Sequence, residues 1–412
     1  MRYLHKAILL GVFIVASAGA VSAENASTIR EMFTNGKAYV HFRYRYEFVD
    51  QDGFDNDANA LTLKSVLGYR TANWNGLSAV LEAEDVHATG QDNFNSTDNG
   101  KTQYPVVADP DGTEVNQAYI SYDGLPDTVI RGGRYLLTLD NHRFVGDVGW
   151  RQNDQVYDGA GLTNTWIDGL TFSYNYINNV ERVTGTTVDS SSHLINARYS
   201  GIDAFDITLF AYLIDLGNDA PALSSNTFGG RLNGSTNLSE QATLLYDLSY
   251  ATQRDAGDNP TDYDADYINV EAGVGFGGFT LKGGYELLGS DNGAIGFSTP
   301  LATLHRWNGW ADMFLSTPAN GLEDIYGSIG YKFSGLDSFF DGTQFLAVYH
   351  DFSSDEGSMD YGTEWDLKLV TPIDDTWTVG MWYASYSADN FGSDTDKFWV
   401  SISAKFDQGG KA

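Results

Sequence analysis

The sequence predicts an all-β fold, a transmembrane antiparallel β-barrel of about 18 strands, and three observations carry that expectation. The first is the alternation in residues 37–48. Ala38, Val40, Phe42, Tyr44, Tyr46 and Phe48 form an apolar or aromatic set, while Lys37, Tyr39, His41, Arg43, Arg45 and Glu47 form a mostly charged one. Successive strand side chains point to opposite faces, so one face is greasy and the other charged. The second is recurrence. Period-2 segments fall at 37–48, 60–71, 77–86, 114–122, 128–136, 156–165, 169–179, 193–200, 205–215, 226–236, 242–252, 266–277, 279–289, 322–333, 343–352, 361–371, 376–386 and 397–406. That is an even number, as a closed single-chain barrel requires. The third is that no later stretch approaches the ~18 consecutive apolar residues of a membrane helix.

The chain divides simply. Arg2 and Lys6, the apolar run Ala7–Ala16 and the small residues Val21-Ser22-Ala23 read as a signal peptide over 1–23. Residues 24–36 form a short N-terminal segment, too few for a plug domain. The barrel spans 37–406, and 407–412 form a tail behind the aromatic-ended strand closing at Phe406. Short links such as Gly277-Gly278 suit periplasmic turns. The longer links 87–113, 137–155, 253–265 and 290–321 suit extracellular or in-folded loops.

Composition narrows the function. The net charge of −31 argues against nucleic acid, whose phosphates demand a basic surface. Acidic stretches such as Asp50–Asp57 favour solubility, and none has EF-hand spacing. With no cysteine, neither a disulfide nor a thiolate metal site is available, and no cofactor is expected. The expected location is the bacterial outer membrane. The partners expected there are lipid and lipopolysaccharide, the barrel insertion machinery, and an anionic oligosaccharide or small organic anion in the lumen.

Placing the greasy set outward puts Arg43, Arg45, Lys64, Arg70, Arg198, Lys282, Lys332 and Lys368 in the lumen. Arg131 and Arg134 flank Gly132-Gly133, and Arg143 and Arg151 lie on the following long link. Glu47, Glu82, Glu84, Glu271, Glu286, Asp324, Glu364 and Asp366 are the acidic counterparts. One reading makes these neighbouring-strand ladders with no ligand. The other makes the early arginines a positive constriction, because planar guanidinium groups take carboxylates through paired hydrogen bonds. Trp150, Trp307, Trp310 and Tyr157, in or beside long links, could stack on sugar rings or belong to an interfacial girdle. An outer-membrane hydrolase would need a Ser–His pair, and His41, His142 and His350 sit in no nucleophile motif. A passive channel with an arginine-lined pore is the expectation, and a low-selectivity porin the alternative.

Several motifs carry a resemblance. Glu114-Val-Asn-Gln-Ala-Tyr-Ile-Ser-Tyr122, the link Asp140–Asn153, Trp307-Asn-Gly-Trp-Ala-Asp312, Val348-Tyr-His-Asp-Phe352 and Tyr361-Gly-Thr-Glu-Trp-Asp366 resemble the alginate export family of outer-membrane porins. The resemblance implies an 18-stranded barrel with an electropositive pore for polyuronate or related acidic sugars. Arg43, Arg45, Arg70, Arg134, Arg143 and Arg151 would match that family's pore pattern. The chain departs from it in having no arginine after Arg306.

Overall fold

The computed structural model describes residues 25–336 and 340–407. The expected signal peptide and residues 408–412 of the expected tail lie outside those limits; Asp407 is the last residue of the final strand.

Strands form where the alternation predicts them. They are β1 (Lys37–Gln51), β2 (Ala58–Arg70), β3 (Leu77–Asn93), β4 (Gly112–Leu125), β5 (Thr128–Tyr135) and β6 (Val156–Asn164). Next come β7 (Leu170–Glu181), β8 (Thr187–Ile202), β9 (Phe205–Ile214), β10 (Ser225–Asn237), β11 (Ala242–Asp255) and β12 (Asp264–Phe276). The last six are β13 (Phe279–Leu288), β14 (Leu322–Lys332), β15 (Gln344–Ser353), β16 (Asp360–Pro372), β17 (Trp377–Ala388) and β18 (Thr395–Asp407). Each pairs antiparallel with its neighbours in sequence, and β18 returns to β1 from Tyr39↔Asp407 to Gln51↔Thr395. The sheet is a closed 18-stranded meander.

The faces divide as the alternation requires. On β1, Arg45, Glu47 and Val49 are buried, while Phe42 and Tyr44 are exposed. Leu67, Leu81, Ile120, Leu209, Val270 and Ile325 are among the most exposed apolar side chains, and they form the outer belt.

Strand direction sorts the links. The longest ones, 94–111, 136–155 and 289–321, all leave the same end, and the tight turn Gly277-Gly278 lies at the other. Two links are shorter than the sequence suggests. β3 runs on to Asn93, where Asn59↔Asn93 pairs it with β2 beyond a register shift at Ala60/Thr62. The stretch 87–93 holds no apolar side chain larger than Ala88, so it shows no alternation to read. β11 and β12 likewise extend to Asp255 and from Asp264.

The N-terminal segment holds a short helix, α1 (Ile29–Thr34). Thr28 caps it by accepting from the Glu31 amide at 3.1 Å, and Glu31 accepts in return from the Ser27 amide at 2.8 Å. Met32 packs with Ala26 and Ala72 at the short-link end.

The apolar core lies inside the barrel. Phe144, Val145, Phe297, Leu301 and Phe314, from the links 136–155 and 289–321, pack against the inward side chains Tyr135, Tyr212, Tyr267, Phe352 and Trp399. Both links are therefore in-folded.

Halfway along β12, Val270 is 46% exposed on the outer belt. Val270→Arg is expected to cost about 2–4 kcal/mol in a bilayer, as basic residues do on the lipid face of a barrel. A lowered denaturant midpoint of the protein refolded in lipid vesicles reads that cost.

Candidate functional site

The site begins with arginines on β1 that face inward and need hydrogen-bond acceptors. Arg43 donates from Nε to Gln152 Oε1 at 2.8 Å, from Nη1 to the Gly149 carbonyl at 2.8 Å, and to the Arg151 carbonyl. Arg45 donates to the Trp150 carbonyl at 2.6 Å and pairs with Asp109. Both guanidinium groups thus hold link 136–155 against the barrel wall. Arg151 reaches back to Glu47, with both oxygens at 3.0 Å. Lys64 sits between Glu84 at 2.5 Å and Asp154 at 2.8 Å. Asn116 donates to Glu82 at 2.8 Å and to Asp154 at 3.1 Å. Burial alone would raise the Asp109 carboxyl, but Arg45 and Arg151 outweigh it and hold it below the usual range. Burial works against the charge on Arg151 too, and Glu47 and Asp109 reverse that, keeping it protonated.

The opposite wall is acidic and holds link 289–321. Arg143 pairs with Glu286 at 2.8 Å, and Tyr267 donates to the same carboxylate at 2.6 Å. Asn308 donates to Glu286 at 2.7 Å and to Asp324 at 3.2 Å. The Ala311 amide donates to Glu364 at 2.6 Å, and the Trp310 amide to Asp366 at 3.4 Å. Gly309 lies between those anchors with φ +84, and any Cβ there would collide with the Glu364 carboxylate. Only glycine fits both constraints.

The two links meet in mid-lumen. Trp150 stacks on His305 with centroids 4.1 Å apart and planes 7° apart, and the edges of Trp382 and Trp399 close around it. Gly146 donates to the Leu301 carbonyl at 2.8 Å. His305 lies 2.7 Å from Asp312, which also takes Lys397 at 2.8 Å. A carboxylate at that distance favours an imidazolium, yet burial under Trp150 wins and pushes His305 down to about 4. The imidazole is neutral and donates its Nδ1–H to Asp312. Asp312 itself is held well below the carboxylate range: burial opposes its charge, and Lys397 and His305 more than compensate.

Most of the sequence-derived candidates converge on this network. Arg43, Arg45, Glu47, Lys64, Glu82, Arg143, Arg151, Asp324 and Glu364 all belong to it, but as anchors of links rather than as a bare ring. Arg70 stands apart at the short-link end, 5.7 Å from the Tyr39 ring. Arg131 lies over Tyr119 at 4.9 Å and Tyr135 at 5.3 Å. Arg134, three residues on from Arg131, falls on the opposite face. It shares that face with Ile130, in register with Ala118 and Asp158, and clasps Asp158 at 2.7 and 2.8 Å. The register takes Arg134 out of the pore-lining set.

The sugar-stacking aromatics are also corrected. Tyr157 is sealed, its hydroxyl donating to the Gly146 carbonyl at 2.8 Å. Trp150 already stacks on His305, Trp307 carries the guanidinium of Arg143 at 5.4 Å, and Trp310 packs against the interior core. Asp109, Asn116, His305, Asn308 and Lys397 are network members that sequence reasoning missed. Lys397 shares the inward register of Trp399 and could have been found. Asp109 follows the apolar run Val106-Val107-Ala108, of which Val107 is fully buried, and that run is the local signal for it.

A closed 18-stranded antiparallel barrel is the architecture of outer-membrane porins, and solved structures of that class share it. Acinetobacter baumannii OccAB3 aligns at a TM-score of 0.73 and 13% identity, covering 91% of this chain and 100% of that one. A. baumannii OccAB2 gives 0.73 at 15% identity over 92% and 100%. Pseudomonas aeruginosa OccK5 (OpdH) gives 0.69 at 15% identity over 93% and 100%. At these identities the likeness is one of fold. No family model and no curated protein matches the chain. The resemblance to the alginate export family therefore finds no support, and the solved neighbours belong to a different porin family.

The depressed His305 sets a pH dependence. Its folded value of about 4 lies below the ordinary imidazole value of 6.5, so the unfolded chain binds the proton first. The contribution is full above pH ~6.5 and is lost as pH falls toward 4, about 3 kcal/mol in all. Unfolding midpoints measured from pH 8 to pH 4 should fall over that window, and His305→Phe should flatten the slope.

Proposed function

We propose that this chain is a passive outer-membrane channel for small anionic solutes. The fold class and the charged, in-folded lumen support a diffusion channel. One observation carries the anion preference. Arg131 is a half-buried guanidinium group of the lumen wall without an ion-pair partner among the described residues, whereas the donors of Arg43 are taken by link 136–155. The carboxylates Glu82, Glu364 and Asp366, by contrast, are sealed at 5% exposure or less. A permeating carboxylate could take paired hydrogen bonds from an arginine fork, while the buried acids are shielded from it. The in-folded links fill part of the lumen, which favours small organic anions over a polyuronate chain.

A second reading is a charge-indifferent porin. It draws on the neutralisation of Arg45, Arg143, Arg151 and Arg231 by Asp109, Glu286, Glu47 and Asp247.

Reversal potentials in planar bilayers under a potassium chloride gradient separate the two. The expected result is anion selectivity that shifts toward cations in Arg131→Ala, which leaves the links anchored. Cation selectivity of the unmodified protein overturns the anion reading, and selectivity unchanged in Arg131→Ala supports the second.

A further inference from the structure

α1 has an apolar edge that is left more than half exposed. Ile29 and Phe33, four residues apart and so on one side of the helix, are 54% and 57% exposed. Met32, on the flank of that edge, is buried against Ala26 and Ala72. Arg30 and Thr34, toward the other flank, are exposed and polar. Water does not explain two large apolar side chains placed together at the exposed side of so short a helix.

The attachment of α1 shows what the edge faces. The Phe33 carbonyl accepts from the Tyr69 hydroxyl, and Tyr69 shares its strand face with Leu67, which is 62% exposed on the outer belt. At the other end, Ala26 donates to the Asn73 carbonyl at 2.7 Å. The helix is thus tied beneath the β2–β3 turn, with its C-terminal end at the outer rim of the barrel. That end lies beside Tyr69, on the same face of β2 as the outward Leu67.

We propose that α1 is a membrane-interface anchor, with Ile29 and Phe33 inserted in the phospholipid leaflet at the short-link end. Short amphipathic helices seat their apolar face roughly 5–10 Å into the headgroup–acyl boundary, with cationic side chains toward phosphate. Arg30 meets that second requirement, and Tyr69 has the aromatic-and-hydroxyl character of an interfacial residue. Glu31, whose charge would be unwelcome near phosphate, is tied into the cap by the Ser27 amide and hydroxyl. The proposal rests on the reading of the chain as an outer-membrane barrel.

The absence of cysteine makes a site-directed spin-label test direct. Phe33→Cys and Leu67→Cys would each be labelled with a nitroxide in the full barrel, reconstituted in phosphatidylcholine vesicles. Collisions with oxygen, enriched in lipid, and with a water-soluble nickel chelate would then be compared. The expected result is a several-fold excess of oxygen over nickel accessibility at both positions. A lipid-exposed label at Leu67 with a nickel-accessible one at Phe33 overturns the anchor and leaves the barrel reading intact. A label at Phe33 shielded from both reagents means a protein contact and also overturns it. Nickel access at Leu67 as well overturns the membrane reading and the anchor with it.

Discussion

Every strand in hydrocarbon must satisfy its backbone N–H and C=O groups without water, and the structure depends on how the last strand meets that demand. β18 pairs with β1 along nearly its whole length, from Tyr39↔Asp407 to Gln51↔Thr395, and the sheet has no edge. Once closed, the alternation of each strand ceases to be a local preference. A one-residue slip would turn a whole strand inside out, setting Arg43 and Arg45 in lipid and Phe42 and Tyr44 in the lumen. The cost of such an error fixes the register around the ring.

Closure creates a second constraint. Inward charges in so enclosed a space need partners, and the lumen cannot supply bulk water to all of them. The in-folded links supply those partners with opposite polarity on opposite walls. At the basic wall, Arg43 and Arg45 take the carbonyls of Gly149, Trp150 and Arg151. At the acidic wall, Glu364 and Asp366 take the amides of Ala311 and Trp310. The sign of the wall charge decides which backbone group the link presents. The links' own polar groups, costly if buried unpaired, are satisfied by the same bonds.

This arrangement explains what the sequence discloses. Period-2 alternation is a property of one strand read alone, so the strands and their inward and outward sets were legible. It is silent where no lipid belt is needed, as at 87–93. The placement of Arg134 was also within reach, since residues three apart on a strand face opposite ways. The network was not legible, because its bonds join residues distant in the chain: Arg45 with Asp109, Arg143 with Glu286, Lys397 with Asp312. Identifying arginines as a pore ring assumes they are free, and only the path of the links shows that Arg43 and Arg45 are engaged.

Charge and width are for that reason not independent in this barrel. The link backbone adopts left-handed conformations at His142, Val148, Asn308 and Asp312, and for β-branched Val148 at φ 50 that is strained. Such a backbone persists only while surrounding bonds over-determine it. Val148 stands next to the segment that Arg43 and Arg45 hold, and Asn308 and Asp312 bracket the acidic-wall anchors. Removing Arg45 would therefore release a strained link as well as delete a charge, changing the shape and the charge of the lumen together. Arg131 carries no link: its partners are the rings of Tyr119 and Tyr135. Its removal changes the charge of the lumen wall while leaving the links in place, so Arg131 is where an effect of charge can be separated from an effect of shape.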